Sequence, residues 1–219
     1  MDRRTENYFS AFIVLHLMIQ QAATSIPTPW GNFQMIAYAD SATERMPHLA
    51  MVHADFDPQQ PTLLRIHSEC LTGDLFGSKR CDCGEQLEEA MRRVAAVGGV
   101  VIYLRQEGRG IGLINKLKAY NLQDEGLNTV DANTHLGLEI DARQYDLAIT
   151  ILKDLGIKAI HLLTNNPLKV AALESSEIEI LSRVPLIIPP QKENLHYLET
   201  KEKVMGHMFQ IDRKASSKF

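Results

Sequence analysis

Three short runs in the first third of the chain, at residues 33–38, 48–53 and 62–67 (TLLRIH), mix apolar and polar positions and read as β-strands. The turn cluster Pro27-Thr28-Pro29-Trp30-Gly31 precedes the first of them. From residue 86 the period changes. Leu87, Met91 and Val94 fall at i, i+4 and i+7 and Gly98-Gly99 closes the segment, so 86–97 reads as an amphipathic helix with a glycine stop. A continuous apolar run at 99–104 (GVVIYL) reads as a buried strand. The loop 105–112 (RQEGRGIG) then leads into a helix over 113–123, and a second helix covers 142–155 with Gly156 just past its end. Residues 157–163 (IKAIHLL) form a strand, Asn166-Pro167 starts another helix, and 178–188 returns as a strand. The pattern predicts an α/β fold of the mixed α+β kind. A strand-rich N-terminal third is followed by alternating strands and helices around a mixed sheet. One domain is expected over 26–210, with an extension at 1–25 and a polar tail at 211–219.

The extension carries an apolar run at 8–19 (YFSAFIVLHLMI) after Arg3 and Arg4. Twelve residues are too few to span a bilayer. The run contains His16, its flank carries Asp2 and Glu6, and the Ala-Ala-Thr-Ser stretch after Gln20-Gln21 only loosely resembles a cleavage site. No other stretch approaches membrane-spanning length, so a cytoplasmic protein is expected, with no membrane partner. Met18 as the true start would leave MIQQAATSIPTPWG as a short leader into the first strand.

Composition narrows the class. With 219 residues, 45% of them hydrophobic and 23% charged, the chain can bury one substantial core, and it is neither a disordered nor a collagen-like chain. A net charge of −4 gives no global pull toward nucleic acid or anionic lipid, so an anionic ligand must be held by a local cluster of cations. Residues 61–120 carry nine Lys/Arg against seven Asp/Glu, while the remainder carries 14 against 20, so the middle of the chain is the positive part. The three cysteines, Cys70, Cys81 and Cys83, lie within fourteen residues. Their odd number argues against structural disulfides.

Two thiols one residue apart, with a third eleven residues upstream, suit Zn²⁺, which takes soft ligands in a tetrahedron. Three protein ligands leave the fourth position for water, as in a catalytic site; His67 as a fourth ligand would close a structural Cys₃His site; three small buried neighbours are the remaining reading. Three thiolates would leave the site at net −1 and the metal a weaker Lewis acid, an effect that the nearby cations Lys79 and Arg80 would offset. The 105–112 loop, between a buried strand and a helix, suits an anion. It is neither a P-loop nor a dinucleotide fingerprint, because GxxxxGK[ST] is absent and Leu113 stands at the third glycine position. Asp141-Ala-Arg143-Gln144 reads as an N-cap followed by Gln at N3, a capping box. Arg143 would then sit in a first helical turn that disfavours a cation, which suits an anion shared with the helix amides. Spacing does not separate Tyr120, Thr129, Thr164 or Lys169 from ordinary structural residues.

The stretches RIHSECLTGDLFGSKRCDCG (65–84), RQEGRGIGLINKLKAYNLQDEG (105–126), TVDANTHLGLEIDAR (129–143) and LLTNNPLK (162–169) closely resemble GTP cyclohydrolase II of riboflavin biosynthesis. The likeness runs from about residue 27 to 207 and leaves the first 25 residues outside. It implies a monofunctional form, since a fused dihydroxybutanone phosphate synthase domain has no room here. It implies one catalytic zinc on Cys70, Cys81 and Cys83, and Mg²⁺ with the substrate triphosphate. GTP contacts would come from Arg65, Ile66, His67, Ser68, Glu69, Gln86, Glu107, Gly108, Arg109, Thr129, Thr164 and Lys169. Asp141 becomes the proton acceptor and Arg143 the nucleophile toward the α-phosphorus, with Tyr120 near the reacting base. The implied reaction converts GTP to 2,5-diamino-6-ribosylamino-4(3H)-pyrimidinone 5′-phosphate, formate and diphosphate, in a homodimer that binds no nucleic acid. A guanidinium with a pKa above 12 is a poor nucleophile. Arg143 is therefore better read as stabilising charge on the α-phosphate unless Asp141 strips its proton. Two other outcomes stay open: a ring-opening enzyme that keeps the formyl group, and a GTP-binding regulatory module with a structural zinc.

Overall fold

A computed structural model describes residues 18–208 of the protein. Most of the 8–19 apolar run and the whole 211–219 tail lie outside the described residues. Burial along the strands explains their places in the sheet. The strands β4 (Thr62–Ser68) and β5 (Val100–Leu104) are buried on both faces and lie side by side in parallel, as strands covered by helices on both sides must. The strand β1 (Ile19–Thr28), mostly exposed, forms one edge. With β2 (Gly31–Ala39), β3 (His48–His53), β6 (Ala159–Leu163) and β7 (Glu179–Val184) the sheet has the order β1-β2-β3-β5-β4-β6-β7. Pairing is antiparallel from β1 through β3 to β5 and parallel from β5 through β4 and β6 to β7, so the sheet is mixed, as expected.

The helices are α1 (Leu71–Asp74), α2 (Cys83–Ala95), α3 (Leu113–Asp124), α4 (Thr129–His135), α5 (Asp146–Asp154), α6 (Pro167–Glu174) and α7 (Leu195–Lys203). Alternate residues of β5 serve the two faces of the sheet. Ile102 and Leu104 join Leu64, Ile66, Ile36, Ile151 and Leu152 in the main core under α5, while Val101 packs with Phe33, Met91 and Val94 under α2. Arg65 and His67 of β4 lie opposite Val101 and Tyr103, on the face that α2 covers. That face is apolar at its centre and polar toward the strand carboxyl ends. No described helix is long and apolar enough to cross a membrane.

Several expectations need correction. Residues 19–28 are not a leader but the edge strand β1, and the boundary expected at residue 25 falls inside it. The turn cluster closes a hairpin: Thr28 Oγ1 donates to the Gly31 carbonyl at 2.7 Å and accepts from Trp30 N at 3.2 Å. An edge strand tolerates Pro27, and its polar outward residues hide the alternation that marks a strand. The helix expected at 142–155 begins only at Asp146, the strand expected at 178–188 ends at Val184, and α1, α4 and α7 were not expected at all. The helix start at Asn166-Pro167 stands: the Asn166 side chain accepts from Leu168 N, with Pro167 in the first turn.

The Gly98-Gly99 stop has a tertiary reason. Gly98 has φ +68° and a Cβ there would lie 2.6 Å from the Asp55 carbonyl. At Gly99 a Cβ would collide with the Leu63 carbonyl and sit 2.6 Å from Val94 Cγ1. Gly99→Ala should therefore cost about 1–3 kcal/mol, the usual penalty of overpacking, read as a lower urea midpoint with an unchanged slope.

Candidate functional site

The carboxyl ends of β4, β5 and β6 open into one cleft, the kind of concave site in which small molecules bind. In open sheets with parallel strands ligands sit at this edge, where connections leave a strand in opposite directions. Here β4 is flanked by β5 on one side and β6 on the other.

The thiols form one end of the cleft. Cys70 follows β4, and Cys81 and Cys83 flank the start of α2. Their sulfurs lie within 4.8 Å of one another, with Cys70 and Cys81 3.6 Å apart. Gly73 makes room for them, since a Cβ there would stand 2.9 Å from Cys81 Sγ and 3.2 Å from Cys70 Sγ. Hydrogen bonds from Cys81 and Cys83, with the Lys116 ammonium, push Cys70 far toward the thiolate. Cys81, hydrogen-bonded to that thiolate and desolvated, is raised to about 11, and Cys83 is raised likewise. A lone protein environment thus ionises one thiol and resists the next two. A divalent cation among them reverses that balance, which is how the donor set fits a soft metal ion.

His67 does not complete a fourth ligand. Its Nε2 faces the Asp74 carboxylate at 3.0 Å, and it lies outside the group of three thiols. Burial pushes the His67 pKa down, and in the neutral ring Nε2 donates to Asp74. The same carboxylate accepts from Cys70 N at 2.9 Å and Tyr103 Oη at 2.9 Å, so it fixes the first turn of the thiol loop to β4 and β5. Lys79 is exposed, and Arg80 forms an exposed pair with Asp124 at 2.7 Å while covering Tyr120 at 4.9 Å. The cation that reaches a sulfur is Lys116 instead.

Cations crowd the rest of the cleft. Arg65 donates to the Leu163 carbonyl at 3.1 Å and to Gln86 Oε1 at 2.7 Å, yet its buried Nε has no partner. Lys169 Nζ donates to the Ile66 carbonyl at 2.7 Å. Arg109 keeps a buried Nη1 without a partner. Arg143 and Lys201 complete the lining. Burial, then Arg65, Arg143 and Lys201, push the Lys169 pKa well down, and burial lowers Arg65 to about 10. His207 falls to about 3, by burial and then by Lys201, Arg143, Lys169 and Arg109. Arg143 and Lys201 have carboxylate partners in Asp141 and Asp82, but Arg65, Arg109 and Lys169 form no ion pair among the described residues, and those three cations suit a polyanion.

The 105–112 loop brings Arg109 into that cluster through an unusual backbone. Glu107–Gly110 is a 3₁₀ turn in which Gly108 (φ 62°) and Arg109 (φ 63°) are both left-handed. Arg109 is the only described non-glycine residue with positive φ, a conformation costing on the order of 1–3 kcal/mol and concentrated at ligand sites. Its carbonyl accepts from Ala142 N at 3.0 Å, joining the loop to the 141–143 segment.

That segment corrects the capping-box reading. Tyr145, not Asp141, precedes α5. The Asp141 carboxylate instead accepts from Arg143 N at 3.2 Å, Arg143 Nε at 2.7 Å and Arg143 Nη2. Burial would lower the Arg143 guanidinium, but Asp141 holds it well above its ordinary value; burial would raise Asp141, but Arg143 and Arg109 hold it down.

The cleft brings together Arg65, His67, Ser68, Glu69, Gln86, Glu107, Gly108, Arg109, Tyr120, Thr129, Arg143, Thr164, Lys169 and the three cysteines. Two expected residues do not line it. The Ile66 side chain belongs to the core on the opposite face, so only its carbonyl takes part, and Asp141 reaches the cleft through Arg143. Sequence reasoning missed Lys116, Asp82, Tyr197, Lys201 and His207. Lys201 Nζ bonds Asp82 at 2.9 Å and stands 4.4 Å from the Tyr197 ring, so α7 closes over the thiol end. Tyr197 and Lys201 at i, i+4 in a polar segment were the available signal.

A family model described as GTP cyclohydrolase II matches residues 20–185. A riboflavin biosynthesis protein RibBA of Bacillus cereus is 48% identical over 196 residues, covering 89% of this chain and 49% of that protein. The RibBA of Chlorobium phaeovibrioides is 53% identical over 193 residues, 87% of this chain and 47% of that one. The chain thus spans about half the length of these curated relatives. A solved two-domain 3,4-dihydroxy-2-butanone 4-phosphate synthase from A. baumannii superposes with a TM-score of 0.42 at 19% identity, over 78% of this chain and 40% of that one.

The cation cluster yields a direct test. A lysine whose pKa is depressed on folding destabilises the folded state once pH falls below its unfolded value, so at pH 7 the penalty of Lys169 is present and above about pH 10.5 it is absent. Lys169→Met should raise thermal stability at pH 7 by about 1–4 kcal/mol, as replacement of buried charge by apolar groups does. Inorganic tripolyphosphate should stabilise the wild type, by about 2.7 kcal/mol at a hundredfold excess over Kd, and stabilise Lys169→Met far less.

Proposed function

The chain belongs to the GTP cyclohydrolase II family, and from that premise we propose that it hydrolyses GTP to 2,5-diamino-6-ribosylamino-4(3H)-pyrimidinone 5′-phosphate, formate and diphosphate, the first step of riboflavin biosynthesis. The observation that carries this reading is that one cleft holds both the three-thiol cluster and the crowd of buried cations. Imidazole-ring opening and triphosphate cleavage need these two chemistries side by side.

Cys70, Cys81 and Cys83 would hold Zn²⁺, which supplies Lewis acidity for hydrolysis at the guanine C8. Everything else falls to the chain. Arg65, Arg109 and Lys169 bind the triphosphate with its Mg²⁺, and Thr129, Thr164 and the Ser68-Glu69 turn add polar contacts around it. The burial that raises the Tyr120 pKa keeps its hydroxyl protonated and able to donate to the base or to an attacking water. Arg143 is locked to Asp141 in its charged form, so its role at the α-phosphate is to stabilise charge that develops as the α–β bond breaks. A guanidinium held above its ordinary pKa is a still poorer nucleophile than a free one. The catalytic unit in this reading runs from β1 through α7. A homodimer in the cytoplasm completes it, and reduced thiols fit that compartment.

Incubation with GTP, Mg²⁺ and Zn²⁺ should release formate, diphosphate and the pyrimidine in equal amounts. A product that keeps the formyl carbon by mass spectrometry would show a ring-opening enzyme that stops early, and no turnover of GTP would leave only a binding module. Cys81→Ser should lose bound zinc by elemental analysis and formate release with it. Full turnover by a zinc-free Cys81→Ser sinks the catalytic-metal reading. Arg143→Lys, which cannot make the bidentate contact, should lower kcat about 10²–10³-fold. Intact-mass analysis of zinc-depleted protein with GTP should find no guanylyl adduct on Arg143.

A further inference from the structure

Three thiolates around one divalent cation carry a net −1, and the fold places a buried lysine against that excess charge. Lys116 stands one turn into α3, is 8% exposed, and its Nζ donates to Cys70 Sγ at 3.1 Å. The same ammonium donates to Glu107 Oε1 at 2.8 Å. Glu107 in turn accepts from Leu71 N at 2.6 Å through its other oxygen, and from Gly108 N at 2.7 Å. One carboxylate therefore holds the lysine, the turn after Cys70 and the anion loop in fixed relation. The Tyr120 ring, one turn further along α3, lies 5.7 Å from Nζ. A lysine needed only for packing would be replaced by an apolar residue at little cost or at a gain. A lysine aimed at a sulfur ligand has a different use.

We propose that Lys116 is a positioning residue for the metal centre, whose ammonium hydrogen-bonds the Cys70 sulfur and offsets the surplus negative charge of the three-thiolate set. This deepens the reading given above and rests on zinc at the thiols. A hydrogen bond to a ligating sulfur draws electron density from it, so the sulfur donates less to the metal and the metal remains the stronger Lewis acid. Glu107 has two tasks in consequence: it lies in the loop that receives the anion, and it anchors the lysine that tunes the thiols.

Cobalt substitution tests this without relying on turnover. The 219-residue wild-type chain loaded with Co²⁺ should show a thiolate-to-cobalt charge-transfer band in the near ultraviolet. In Lys116→Met the Cys70 sulfur becomes more electron-rich and that band should move to longer wavelength, while kcat/KM of the zinc protein falls about 10- to 100-fold. Lys116→Arg, which keeps a charged donor, should return the band toward the wild-type position. A band that stays in place in a Lys116→Met protein binding one Co²⁺ overturns the proposal. If Lys116→Met does not fold, Lys116→Gln removes the charge with less loss of polarity, and an unmoved band there overturns it equally. Absence of any such band from the wild type would instead overturn the assignment of the metal to the thiols.

Discussion

A strand buried on both faces carries charged and ionisable side chains here, and that is the constraint the surrounding structure answers. Arg65 and His67 sit on β4 at 5% and 2% exposure, in the middle of the sheet. A buried charge left without hydrogen bonds costs several kcal/mol, on the order of a large part of a domain's whole stability. The surrounding loops are arranged around that cost. Gln86 from α2 and the Leu163 carbonyl from the end of β6 receive the Arg65 guanidinium, and Asp74 from α1 receives His67. These partners come from the two helices that follow β4 and from the end of β6, so satisfying the strand's polar groups and building the cleft are one requirement. Two of the three buried side-chain atoms left without a partner among the described residues point the same way. The orphaned Arg65 Nε and Arg109 Nη1 are donors, and a buried donor without an acceptor is a standing demand for an anion.

Much of this was legible in the sequence wherever burial has a period. The 86–97 helix, the strands at 62–67 and 99–104 and the helix start at Asn166-Pro167 are set by apolar spacing and local chain stops, and they fold within three residues of where the pattern puts them, the helix running Cys83–Ala95. The thiol cluster was legible too, because the chemistry of three close cysteines does not depend on which element carries them. Elements stabilised by tertiary partners rather than by a buried stripe were not. In β1 the outward residues are polar because it is an edge. In α4 the helix is held by its Asn128 cap, which accepts from Val130 N and Asp131 N, rather than by an apolar face. The 141–144 stretch has the spacing of a capping box, but a bidentate contact to Arg143 offers Asp141 more than backbone amides do, and the helix starts four residues later than the first expected position.

Three of the five missed site residues share one physical reason. Lys116, Asp82 and Lys201 are charged residues that are buried because each meets an opposite charge from a distant part of the chain: Glu107 and Cys70 for Lys116, and the Asp82 carboxylate for Lys201 across 119 positions. Nothing local announces such a pairing. A lysine in a helix reads as a solvated face until the fold supplies its partner. Lys201 also shows that the cleft is not complete at residue 185, where the family model stops, since α7 brings Tyr197 and Lys201 against the thiol end.

The two halves of the cleft differ in how their charge is balanced, and the difference suits two kinds of ligand. At the thiol end, Lys201 pairs with Asp82, and Lys116 divides its donors between Glu107 and the Cys70 sulfur, so both cations are engaged within the protein. Deeper in the cleft, Lys169 donates to a backbone carbonyl and stands over the Tyr145 ring, and Arg109 keeps a buried Nη1 without a partner, while Arg65, Arg143 and Lys201 lower Lys169 further by like-charge repulsion. A monoanion would relieve only part of that repulsion. A ligand with several negative charges spread over several ångströms can engage Lys169, Arg109, Arg65 and Arg143 together, and each engagement removes a repulsion as well as adding an attraction. Stability withheld from the empty protein thus becomes binding energy for a polyanion, which is the economy expected where a site is destabilised for its function.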